Sequence, residues 1–238
     1  MRKVDYAYDV IIIGGGVVGS SIARELSKYK LNTCVLEKEL DVCCETSGRN
    51  SGVLHAGFNN KAGSLMAKFC VEGNENFDEI AKELDIPFKR TGKLVVGFNE
   101  EDKEKLIKMK EQGEANGVKG LEIINKDKIR KLSPYVEGNF ALYSPQTGIL
   151  NPFIYTIAMA ENAVSNGVKY FLDNEVLDIK KVLEKESSIF KIKTNKNVYR
   201  SKWLINSAGL NSDKIGKMMG IEDYTIYPCR GEYFIFDL

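Results

Sequence analysis

Histidine is nearly absent from this chain, His55 being the only one in 238 residues. A single imidazole among scattered carboxylates builds no ligand cluster, so no metal site is expected. An excess of either charge is also lacking: 34 Lys+Arg against 33 Asp+Glu leave a net charge of +1. That balance gives no electrostatic reason to expect nucleic acid or an anionic membrane as partner. No apolar run approaches the roughly 20 residues that span a bilayer, and the leading MRKVDYAYD lacks the apolar core of a signal segment. The expected location is cytoplasmic. The cysteines are an odd five with no C-x-x-C spacing, so neither a disulfide framework nor a zinc site follows from them. Adjacent Cys43 and Cys44 read as incidental small residues.

What is present gathers near the start. Val10 to Ile13 is an unbroken apolar, β-branched run, the pattern of a parallel strand buried on both faces. Gly14, Gly16 and Gly19 follow at once as G-x-G-x-x-G. From Val17 onward, Val18, Ile22, Ala23 and Leu26 recur with the period of a helix packed on a sheet. Thr33 to Leu36 reads as a second strand, closed by the acid Glu37. This order is a nucleotide-binding βαβ unit: Gly14 permits the tight turn, Gly16 lets backbone approach a pyrophosphate, and Gly19 lets helix and strand pack closely. Phosphates belong on the helix N-terminus, where free N–H groups and the dipole favour an anion by roughly 0.3–1 kcal/mol at exposed sites. Glu37 is placed to accept ribose hydroxyls and to repel a 2′-phosphate, which disfavours NADP.

The next segment, Lys38 to Phe58, is small, polar, glycine-rich and too long for an ordinary connection, as functional loops are. Within it, TSGRNSGVLHAG (46–57), followed by GSLMAKFCVEGN (63–74), resembles the flavin-contacting segment of the D-amino-acid-oxidase-like (DAO) family of FAD-dependent oxidoreductases. The likeness is to the branch holding L-2-hydroxyglutarate oxidases and anaerobic-type glycerol-3-phosphate dehydrogenases. It implies FAD as cofactor, held by Gly14, Gly16, Val17, Val18, Gly19, Glu37 and Lys38 at the AMP-pyrophosphate half. Thr46, Ser47, Asn50 and Ser51 would serve the pyrophosphate and flavin, Val176 the adenine, and the turn at Ala208 and Gly209 the cofactor again.

The implied fold is α/β, a Rossmann-like FAD-binding domain (1–85 and 151–222) with an inserted, incomplete α+β substrate domain (86–150 and 223–238). Family members continue well past Leu238, so the chain is expected to be an N-terminal portion. A helix at Glu101–Asn116 is expected to turn Leu106, Ile107 and Met109 inward, and Lys202–Asn206 to be a buried strand. Ile226–Leu238 is read as a strand returning to the substrate domain, with an unpaired edge at Glu232–Asp237.

The expected chemistry is oxidation of a small anionic hydroxy substrate, glycerol 3-phosphate or an L-2-hydroxy acid, by hydride transfer to flavin N5. Electrons would pass on to oxygen, a quinone or an iron-sulfur partner. His55 is the candidate to take the hydroxyl proton, since imidazole titrates near neutrality; the alternative is a structural histidine. Arg230 is the candidate grip for the substrate's acid group, with an ion pair to Glu232 as its alternative. Amine or amino-acid oxidation, and a non-catalytic fragment, are the rival readings.

Overall fold

The computed structural model describes residues 5–184 and 187–232. They form two compact units, one up to Arg49 and again from Tyr155, the other Asn50–Ile154.

The first unit is built on a six-stranded sheet. Its spatial order is Val176–Glu184, Ser187–Thr194, Val198–Asn206, Asp5–Ile13, Thr33–Leu36 and Lys169–Phe171. The last four run parallel and the hairpin 176–194 extends them antiparallel. The unbroken apolar run follows from this position. Ile11 and Ile13 face a core with Leu36, Ile192 and Tyr199, whereas Val10 and Ile12 face another with Ala23, Val35 and Ala163. A strand with no wet face has no reason to alternate. The helix Val17–Leu26 turns Gly19, Ser20 and Ala23 to the sheet. Val18, expected on that same face, is instead 59% exposed.

The strand expected at Lys202–Asn206 spans Val198–Asn206, and its second half is not buried: Trp203 is 70% exposed. The hairpin pairs only with Val198–Ser201, so beyond Ser201 the strand has the first strand as its one partner among the described residues. The expected strand from Ile226 has no regular structure as far as Glu232. Its remainder, and most of the edge at Glu232–Asp237, lies outside the described residues.

The second unit holds two small antiparallel sheets, Val53–Leu54 with Gly148–Leu150 and Phe88–Lys89, and Lys93–Gly97 with Phe140–Ser144 and Glu122–Asn125. Helices Leu65–Glu83, Glu100–Ala115 and Lys126–Leu132 accompany them. The division differs from the expected one, because residues 50–85 fall with 86–154. The physical reason is a shared core: Ala56 and Phe58, with Val71 against them, pack on Leu106, Leu121 and Leu142. Leu106 is buried and Met109 partly so, whereas Ile107 is 39% exposed. Ile107 lies about 100° around the helix from Leu106, which here takes it to the edge of the buried stripe. Among the described residues no helix is long and apolar enough to cross a membrane.

Candidate functional site

The parallel strands of the first unit deliver their C-terminal ends to one crevice, and the turns that follow Asp5–Ile13 and Val198–Asn206 are stitched together there. Ser207 donates its backbone N–H to the Ile13 carbonyl at 2.9 Å and its hydroxyl to the same oxygen at 2.8 Å. Gly14 lies beneath, at φ +104°, where a Cβ would stand 2.5 Å from the Ser207 carbonyl oxygen. Only glycine combines that dihedral with that approach. Gly19 closes the turn from the helix side, its missing Cβ leaving room for the Gly14 carbonyl. Gly19 is thus a packing glycine rather than a lining one.

At the helix N-terminus, Gly16 is the N-cap and has no side chain to offer. Ser47 supplies the missing acceptor from thirty positions on: its hydroxyl accepts the Val17 N–H at 2.9 Å. A Cβ on Gly16 would lie 2.8 Å from that hydroxyl oxygen. Replacing Ser47 with alanine is expected to cost about 1 kcal/mol, the usual loss when a helix cap is removed. Urea denaturation of the variant checks this, and an unchanged midpoint would show that the bond contributes nothing.

Glu37, 8% exposed, is fixed at the tip of the second strand. Its carboxylate accepts the Gly15 N–H at 2.6 Å through Oε2 and the Glu39 N–H at 2.9 Å through Oε1. A carboxylate has about four acceptor directions, so two remain for a ligand. Lys38 is held charged, its pKa raised by the carboxylate of Glu39 first and that of Glu45 next, at 2.8 and 2.5 Å. On the far side, Asn174 receives the Tyr199 hydroxyl at 2.8 Å and donates its backbone N–H to the Glu37 carbonyl at 2.8 Å.

Gly14, Gly16, Glu37, Lys38, Ser47 and Asn174 among these line one cavity of about 420 Å³. Of the predicted residues, Gly14, Gly16, Val18, Glu37, Lys38, Thr46, Ser47, Val176, Ala208 and Gly209 are all on its wall. Val17 contributes its amide to Ser47. Asn50, Ser51 and His55 belong to the second unit. There Asn50 Oδ1 accepts the Gly52 N–H at 2.9 Å. The His55 ring is accessible, yet partial burial, and then the charge of Lys93, lower its pKa below the ordinary imidazole value. Arg230 is not on the cavity wall. It lies in solvent with Glu232, Nε to Oε1 3.4 Å, which is the ion-pair alternative.

Sequence reasoning missed Asn174, Glu175, Lys214 and Met218, which also line the cavity. For Asn174 and Glu175 a signal existed, since they follow a parallel strand, and ligands bind outside the carboxyl ends of such strands. Lys214 and Met218 come from the helix Ser212–Met218, whose placement no local pattern encodes.

A glycine turn and helix N-terminus on one side of a crevice, with a buried carboxylate at the next strand's tip, define a Rossmann-type dinucleotide-binding domain. Sequence comparison narrows the class. The chain belongs to the DAO family, FAD dependent oxidoreductases, whose model matches residues 9–238. It is 47% identical over 232 residues to a glycerol 3-phosphate dehydrogenase of Caloramator mitchellensis, covering 97% of this chain and 48% of that protein. A mitochondrial L-2-hydroxyglutarate dehydrogenase of Nematostella vectensis is 37% identical, covering 96% of this chain and 53% of that one. Among solved structures, the dithionite-reduced L-α-glycerophosphate oxidase of Mycoplasma pneumoniae with FAD bound superposes with a TM-score of 0.82 at 29% identity, covering 89% of this chain and 56% of that one. The chain spans about half the length of the curated relatives it matches.

Proposed function

We propose that the protein binds FAD in the first unit's cavity and takes part in oxidising the secondary alcohol of a small anionic compound, glycerol 3-phosphate ahead of an L-2-hydroxy acid. The observation that carries the cofactor reading is the convergence of the glycine turn at Gly14 and Gly16, the Ser47 side chain and the Glu37 carboxylate on one cavity. The residues fit the group: bare backbone at Gly14 and Gly16 admits a pyrophosphate, and the spare acceptor directions of Glu37 suit ribose hydroxyls. The substrate order is supported by the higher identity to the glycerol 3-phosphate dehydrogenase.

FAD, when bound, supplies the hydride acceptor. The helix N-terminus, which meets the cavity at Gly16 and Val18, would hold the pyrophosphate, with Thr46 and Ser47 beside it. Lys38, Asn50, Ser51, Val176, Ala208 and Gly209 complete the cofactor contacts. His55, its pKa lowered, is uncharged at neutral pH and so able to take the substrate's hydroxyl proton on a ring nitrogen. Arg230 exchanges the exposed Glu232 for the substrate anion. The exchange costs little, because exposed ion pairs contribute about 0–1 kcal/mol. Electrons leave to oxygen, a quinone or an iron-sulfur partner.

The test is anaerobic mixing of the purified yellow protein with glycerol 3-phosphate, L-2-hydroxyglutarate or a secondary amine. Bleaching by glycerol 3-phosphate is the expected result. Protein that releases no flavin on denaturation removes the cofactor reading, and bleaching by amines alone removes the substrate reading.

A further inference from the structure

Asn74 is an amide in the middle of the helix Leu65–Glu83, 4% exposed. A buried amide is costly unless every direction is bonded. Here its Nδ2 donates to the His55 carbonyl at 3.0 Å and to the Gln146 carbonyl at 3.0 Å, and its Oδ1 accepts from Arg90 Nη1 at 2.9 Å. Arg90 is fully engaged in turn. Nε and Nη2 donate to Asp78 Oδ1 at 3.1 and 2.6 Å, Nη2 also to the Asn74 carbonyl at 2.8 Å, and Nη1 also to the Gln146 carbonyl. A guanidinium has five N–H donors in a rigid plane. With all of them used, the fork cannot turn.

Cys70, Asn74 and Asp78 recur every fourth residue, so they form one strip along the helix. Its first member, Cys70 Sγ, also donates to the His55 carbonyl, at 3.4 Å. On the other side, Val53 and Leu54 pair with Ile149 and Gly148. The main chain at His55 is therefore fixed from two directions, while the imidazole itself stays accessible.

We infer that Asn74 and Arg90 are positioning residues for proton transfer by His55, acting as a clamp on its backbone carbonyl. This rests on the reading in which His55 takes the substrate's proton. The clamp's contribution is geometric: misplacing a reacting group by about 1 Å can cost on the order of 100-fold in rate. Among the described residues, Lys93 from the strand Lys93–Gly97 acts on the His55 charge, Cys70 from the helix meets its carbonyl, and the Arg90–Asp78 pair reaches it through Asn74.

The chain's single histidine makes the test direct, because one imidazole Cε1–H resonance reports His55 alone. In the FAD-loaded protein, kcat and KM for glycerol 3-phosphate and the His55 titration are measured for Asn74→Asp, Arg90→Lys and His55→Gln. Asn74→Asp keeps shape and the acceptor for Arg90 but faces the His55 and Gln146 carbonyls with oxygen. Arg90→Lys keeps charge and removes the fork. Both are expected to lower kcat roughly 10- to 100-fold with KM little changed. In Arg90→Lys, where no charge is altered, the His55 titration should rise toward its ordinary value as the ring leaves its partly buried seat. Loss of rate in His55→Gln, with kcat and titration unchanged in both clamp variants, overturns the inference and leaves the clamp only structural. Full rate in His55→Gln instead overturns the proton-transfer role of His55 itself.

Discussion

Gly19→Ala is expected to leave a protein that purifies without flavin. A Cβ at this position would stand 1.9 Å from the Gly14 carbonyl oxygen and 2.8 Å from Ser207 Oγ. Neither neighbour can give way cheaply. The Gly14 carbonyl is backbone inside the tight turn, and Ser207 is tied to Ile13 by both its amide and its hydroxyl. The helix Val17–Leu26 must therefore move off the sheet, carrying the Val17 amide with it. Overpacking costs about 1–3 kcal/mol in a compliant core, and this contact is tighter than most. If about 3 kcal/mol of that appears in binding, FAD affinity falls roughly 100-fold. Flavin released per chain on denaturation, together with Tm, reads the effect. Full flavin content in the variant would show that the helix does not need its present seat.

Glu37→Gln should weaken FAD binding by roughly 10- to 100-fold, because hydrogen bonds to a charged acceptor contribute about 1.5–3 kcal/mol. The side chain keeps its size, so the loss isolates charge from packing. In the protein the carboxylate takes two backbone N–H groups, from Gly15 and Glu39, with both of its oxygens. An amide presents one oxygen, and its NH2 then faces a donor. The variant consequently loses one anchor of the glycine turn as well as the acceptor proposed for the ribose. Titrating apoprotein with FAD by flavin fluorescence measures the change; affinity within twofold of the wild type would mean that Glu37 serves the turn and not the cofactor.

The parts of the fold legible in the sequence were those written in neighbouring residues. Gly14, Gly16, Gly19 and Glu37 act within one βαβ unit, so spacing alone placed them, whereas the Ala208–Gly209 turn was reached through the family resemblance, since the strand before it is exposed over its second half. Errors arose where a local pattern was ambiguous about direction. Val18 and Ile107 have the right character for a core but the wrong angle around their helices, and Trp203 sits where the sheet lacks a second neighbour among the described residues. Lys214 and Met218 reach the cavity from a helix far along the chain, and Asn74 bonds to His55 across nineteen positions. Such meetings depend on how elements pack, which periodicity does not record.

The exposed half of the strand Val198–Asn206 also has an optical consequence. Trp203 is the chain's only tryptophan, and its indole already meets water in the native state. A long-wavelength emission is therefore the signal of the folded protein, and unfolding should shift it little. Loss of structure will show instead in the near-ultraviolet dichroism of Tyr8, Phe171 and Tyr199, whose rings pack together beneath the cavity's Asn174.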